Sequence, residues 1–197
     1  MTDRLVNPFS SSGTGFEIYA GLEPSLAELP LVCRQSTHPR SLITDLQTIS
    51  LEDLLGAVVS DRLMAQAVRA GLLLVAEAWD EAHEVAQELD TVEGSYWHGI
   101  VHRREPDAGN ARYWFRHVGT HPVFARLSEW DNRLPPSAKQ VFDTLVLSGT
   151  WDPFSFIDVC TRNADAGSSD PYPALVTLQA REIRALLDYC IRNATNQ

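Results

Sequence analysis

SDRLMAQAVRAGLLLVAEAWDEAHEVAQEL, residues 60–89, decides the fold class. Leu63, Ala67, Gly71, Leu74 and Ala78 recur every three or four positions. That is the period of an α-helix, not the two-residue alternation of a strand. Leu72–Ala76 is apolar on every side, which predicts a central, buried helix. Ser60 or Asp61 can cap its start, and the spacing predicts one helix from Arg62 to about Leu89. Past Glu77 the surface changes. Glu77, Asp80, Glu81 and Glu84 fall on one side, while Trp79, Ala82, Val85 and Ala86 continue the other.

Working outward, helical punctuation continues. Ser50 followed by Leu-Glu-Asp predicts a capped short helix over 51–59. A helix over 93–104 is expected to end at Glu105-Pro106, because the residue before a proline avoids helical geometry. Asp107 or Asn110 can cap the next, which stops at Gly119. His121-Pro122 opens another, with proline in the tolerated first turn. Ser137-x-x-Gln140 reads as a capping box for 138–148. Asp152-Pro153 opens a short helix through Cys160, Asn163–Pro173 is rich in turn residues, and a last helix is expected from Ala174 to Arg192. No stretch shows sustained alternation. The fold class is all-α: a single multi-helical domain over 25–197 with antiparallel helix packing. Residues 1–24 are expected to form an irregular arm, with a minor hairpin as the one strand element near the N-terminus.

The chain's 197 residues suit one domain, and 44% hydrophobic with 21% charged content is globular. A net charge of −10 disfavours nucleic acid, whose phosphates would be repelled. Cys33, Cys160 and Cys190 are odd in number and lack a CxxC pair, so no disulfide framework is expected. The longest apolar run, 71–76, is too short for a bilayer, and MTDRLVNPFSSSGTG lacks the apolar stretch of a signal peptide. No membrane association and a cytoplasmic location are expected.

The chemistry concentrates in YWHGIVHRREPDAGNARYWFRHVGTHPVF, residues 96–124. It holds four of the six histidines, four arginines and two of the five tryptophans. On a helical wheel Tyr96, Trp97, Ile100 and Val101 share one face, with Arg104 among them. His98 and His102 lie nearly opposite, one turn apart. An i,i+4 histidine pair can hold one divalent metal, because both rings point the same way. A third ligand would come from His83, His117, His121, Glu77 or Glu84. Arg112 and Arg116 are also one turn apart, and with Arg103 and Arg104 they offer guanidinium forks suited to carboxylate or phosphate. The same arginines can instead pair with the acidic face of Glu77, Glu81, Glu84 and Glu88. Tyr113 and His117 stand beside Arg116 as further ligand-binding candidates. Cys160 and Cys190 fall on apolar helix faces and read as core thiols. There is no G-x-S-x-G elbow, and Gly13-Thr-Gly15 is too short for a phosphate loop.

His98–Glu105 (H-G-I-V-H-R-R-E), Asn110–Arg116 (N-A-R-Y-W-F-R) and His121-Pro122 resemble the hallmark motif of a family of functionally uncharacterised proteins from bacteria and fungi. The resemblance covers about thirty residues and implies no catalytic roles. Three functions fit the residues. The preferred one is a pocket for a small anionic metabolite. There Arg103, Arg104, Arg112, Tyr113, Arg116 and His117 bind the anion, His98 or His102 transfers protons, and Glu77 or Glu84 tunes them. It requires at least two of the arginines to face a shared cavity. The second is a metal-dependent enzyme with His98 and His102 as ligands. The third is a non-enzymatic interaction module in which the block is structural.

Overall fold

The computed structural model describes residues 14–195 except 131, 133 and 168. Eleven α-helices and one two-stranded hairpin make up the described chain, an all-α architecture. In chain order the helices are α1 (Thr14–Ala27), α2 (Arg40–Thr48), α3 (Leu51–Leu55), α4 (Arg62–Val75), α5 (Trp79–Gln87) and α6 (Val92–Arg104). They continue with α7 (Ala108–Val118), α8 (Pro122–Ser128), α9 (Lys139–Leu145), α10 (Pro153–Arg162) and α11 (Tyr172–Thr195). Among the described residues no helix is long and apolar enough to cross a membrane.

Most of the expected caps form. Ser50 accepts from the Asp53 amide, Asp61 from Leu63 and Met64, Asp107 from Asn110, and Asp152 from Phe154. Each satisfies donors that the helix itself leaves unpaired. His121 does the same for α8, its Nδ1 accepting from the Val123 amide at 3.2 Å.

The core is built around α4, α6 and α11. From Ala67 to Ala76 every residue of α4 and its C-cap is buried. A Cβ on Gly71 would lie 2.6 Å from the Trp97 ring and 2.7 Å from Leu187. Glycine there lets three helices meet at one point. Gly99 plays the same part between α6 and α7, where a Cβ would fall 2.8 Å from Phe115. As expected, Tyr96, Trp97, Ile100 and Val101 are wholly buried. The opposite side of α6 is buried too, so beyond exposed Val92 at its start and half-buried Ser95 this helix has no solvent face.

Burial on all sides forces α6 to find partners for its charges. Arg103 donates to Glu182 of α11 at 2.6 Å, with both side chains fully buried. The Tyr96 hydroxyl donates to the other Glu182 oxygen at 3.2 Å. The Arg103 guanidinium also sits 4.3 Å above the Phe156 ring of α10. Arg104 donates to Glu77 at 3.1 Å and to the carbonyl of Pro30 at 3.1 Å.

Five sequence expectations change. Residues 14–24 are helical, within α1, and not an irregular arm; residues 1–13 lie outside the described part. The long helix expected over 62–89 is two helices, because Glu77 takes a left-handed conformation at φ 53. Its carboxylate is drawn out of helical register by Arg104 and by the Arg34 amide at 3.3 Å. The Ser137 capping box does not form. A 3-10 turn over Pro136–Ala138 leads into α9, whose N-cap Ala138 has no side-chain bond. The 138–148 helix stops at Leu145 because Ser148 and Gly149, both at positive φ, make a hairpin turn. That hairpin pairs β1 (Val146–Leu147) with β2 (Thr150–Trp151), far from the N-terminal position expected for it.

Glu182→Ala is expected to lower folding stability by about 3–5 kcal/mol, because it leaves the Arg103 charge buried and unpaired. The double variant Arg103→Met/Glu182→Leu is expected to recover much of that loss. Urea unfolding checks both. A single-variant loss under about 1 kcal/mol would contradict the buried-pair assignment.

Candidate metal centre

The break at Glu77 re-aims α5, and α5 carries His83 onto the histidine side of α6. The three rings converge there. One nitrogen from each of His83, His98 and His102 lies within 4.8 Å of the other two. His83 Nε2 is 2.9 Å from His98 Nε2. The His83 ring stands edge-on to both partners, with centroids 4.5 Å from His98 and 5.2 Å from His102. His98 and His102 are stacked at 4.9 Å, as their i,i+4 spacing dictates.

Aromatic residues wall the cluster. Trp114 of α7 stacks on His98 at 4.0 Å and 16°. Trp79, at the start of α5, stacks against His83 at 5.7 Å. His98 is only 3% exposed and His102 8%. His83 is half-buried and Glu105 is exposed, so the cluster has a solvent side.

Two polar details bear on what these rings can do. Glu105 Oε2 lies 2.9 Å from His102 Nδ1. Nδ1 donates to the carboxylate, and in the neutral ring this leaves the lone pair on Nε2, the tautomer a metal ligand needs. His98 Nδ1 is buried with no hydrogen-bond partner. Burial pushes the His98 pKa down to about 3, with His83 and His102 adding repulsion. His83 is lowered as well, chiefly by burial and then by His102. His98 is thus a neutral imidazole at physiological pH.

Neutral imidazoles at this spacing fit a metal ion. Two nitrogens on a tetrahedral zinc are about 3.3 Å apart, given Zn–N bonds near 2.05 Å. Opening the 2.9 Å His83–His98 contact by about 0.4 Å gives that separation. A second group, His102, Glu105 and Asp107, also brings ligand atoms within 4.8 Å of one another. Asp107 there is already committed to capping α7, accepting from the Asn110 amide and side chain.

The remaining candidate residues are scattered. Arg103 and Arg104 are locked in the internal pairs described above. Arg112 pairs with Asp158 of α10. Arg116 and His117 are exposed on α7, as is Tyr113 at 49%. His117 Nδ1 donates to the Tyr113 carbonyl. A cavity of about 630 Å³ is lined by Arg126, Arg181 and Arg184, and a cleft of about 550 Å³ by Arg34, Arg40 and Trp79. Neither contains Arg103, Arg104, Arg112 or Arg116, so no shared cavity for those four is seen there. Glu77 serves Arg104 and not the histidines, and Glu84 is exposed on α5. His121 faces Glu93 at 3.5 Å, away from the cluster.

The carboxylate that serves a histidine of the cluster is Glu105, which reads in the sequence as a helix terminator. Its signal was the i,i+3 spacing from His102. His83 was one of five possible third ligands, and only the turn at Glu77 singles it out. Comparison of the chain with protein-family models, with curated proteins and with solved structures finds no match.

The metal-free protein is expected to lose stability in acid through His98. Its folded pKa lies below its ordinary value of 6.5, so the unfolded chain takes up the proton first. Stability is full above that value and falls as pH drops toward about 3. Between pH 6.5 and about pH 5 the loss is roughly 2 kcal/mol, or about 4–8 °C in Tm. Thermal melts of the wild type and His98→Gln, which lacks the titration, check this. Equal pH slopes in the two would contradict it.

Proposed function

We propose that the chain is a metal-dependent helical protein in which His83, His98 and His102 hold one divalent ion. The observation that carries this is the meeting of three imidazole nitrogens from two helices, one of them backed by a carboxylate. Imidazole ligands suit zinc, copper, iron and nickel, and zinc matches the tetrahedral spacing best.

Three protein ligands leave a fourth position open, the pattern of catalytic and not of structural zinc. Such an ion polarises a carbonyl or activates water, so hydrolysis or hydration is the reaction class the site supports. Glu105 holds the His102 ring in place and raises its basicity. Trp114 and Trp79 keep the surroundings apolar. A cytoplasmic setting is part of the same proposal, and the three free thiols are consistent with a reducing compartment.

The test is elemental analysis of protein purified without a histidine tag, followed by titration of the stripped protein with zinc. Near-stoichiometric metal is expected, with uptake abolished by His83→Ala, His98→Ala or His102→Ala. Glu105→Gln is expected to weaken affinity by about 10–100-fold while leaving the fold intact. Zinc at about a thousand times its Kd should stabilise the fold by roughly 4 kcal/mol. A folded protein that takes up none of these metals would refute the site.

A further inference from the structure

We infer that the open position of this metal centre is an anion receptor, taking a small carboxylate or a similar monodentate anion. The inference rests on the metal site proposed above and names the ligand class it would accept. It starts from charge. All three ligand rings are imidazoles, and neutral imidazoles leave a divalent ion with its full double charge. A site with a coordinated carboxylate or thiolate would already have cancelled part of it.

The nearest carboxylate does not do so directly. Glu105 is bonded to His102 Nδ1 at 2.9 Å, one ring removed from the Nε2 lone pair. The His83–His98–His102 cluster itself is made of histidines only, and Asp107, which shares ligand distance with His102 and Glu105, is committed to Asn110 at the start of α7. The flanking groups are indole faces, Trp114 at 4.0 Å from His98 and Trp79 at 5.7 Å from His83. Indole walls lower the local dielectric, which strengthens the attraction between a dication and an anion. Half-buried His83 and exposed Glu105 mark the side from which a small ligand can enter.

The arginines make the same point by default. Arg103 and Arg104 answer Glu182 and Glu77, and Arg112 answers Asp158. Those three charges are spent on ion pairs within the chain. At this site, in a chain of net charge −10, the positive partner that an anionic ligand needs is then the metal itself.

Cobalt(II) in place of the native ion makes the coordination visible. Stripped full-length protein is loaded with one equivalent of cobalt and titrated with acetate, then separately with acetamide, its neutral counterpart of the same shape. Acetate is expected to shift the visible bands saturably and to bind at least roughly tenfold more tightly than acetamide, a difference of about 1.4 kcal/mol. Azide should compete with acetate for the same spectral change. Glu105→Gln, which removes the negative charge behind His102, is expected to tighten acetate binding. Failure to take up cobalt would overturn the metal site itself. Uptake of cobalt with bands that ignore acetate, or that respond equally to acetamide, would overturn the anion receptor and leave the metal site standing.

Discussion

A helix buried on every side that nevertheless carries two arginines and two histidines must have each polar group answered from a neighbouring element. That constraint on α6 organises the protein. Arg103 recruits Glu182 from α11, and Tyr96 closes the same carboxylate from above. Arg104 recruits Glu77 and so stops α4. His98 and His102 recruit His83 from α5 and Trp114 from α7. In the low dielectric of the core, each unanswered group would cost more than the contact itself contributes, so the neighbours are placed by necessity.

The two sides of α6 consequently have different characters. Toward α11 the charges are balanced: Arg103 meets Glu182 and Tyr96 shares the same carboxylate, although Arg103 Nε and Nη1 have no hydrogen-bond partner. Toward α5 the polar groups are open. Three nitrogens approach with no countercharge among them, and one is held in ligand tautomer by a carboxylate outside the set. A dense His/Arg block in one stretch of chain therefore divides into a structural half and a half that resembles a binding site. The division follows the helix faces, with arginines on one arc and histidines on the other.

Much of this was legible in the chain. The helical period, the caps at Ser50, Asp61, Asp107 and Asp152, and the apolar arc of Tyr96, Trp97, Ile100 and Val101 are local properties. A residue's neighbours three and four positions away settle them. The i,i+4 histidine pair was legible for the same reason. The helix over 14–24 is hidden because the Ser, Gly and Pro content of residues 1–24 as a whole argues for irregular structure. Yet α1 tolerates Pro24 and packs Tyr19, Leu22 and Leu26 into the core, so tertiary burial outweighs propensity there.

Local spacing settles the class of fold, the positions of most helix starts, and the segment that supplies two of the three clustered histidines. Tertiary structure alone decided which side chains share that chemistry. Nothing between Ala76 and Ala78 marks a stop: there is no glycine and no proline, only a glutamate whose partner lies 27 residues onward. Local propensity would run α4 straight through, and His83 would then point elsewhere. An ion pair across the fold bends the chain at Glu77, and that bend brings the third histidine to the other two. Such long-range electrostatics leave no periodic trace in the sequence, which is why the site's location could be read from it and its composition could not.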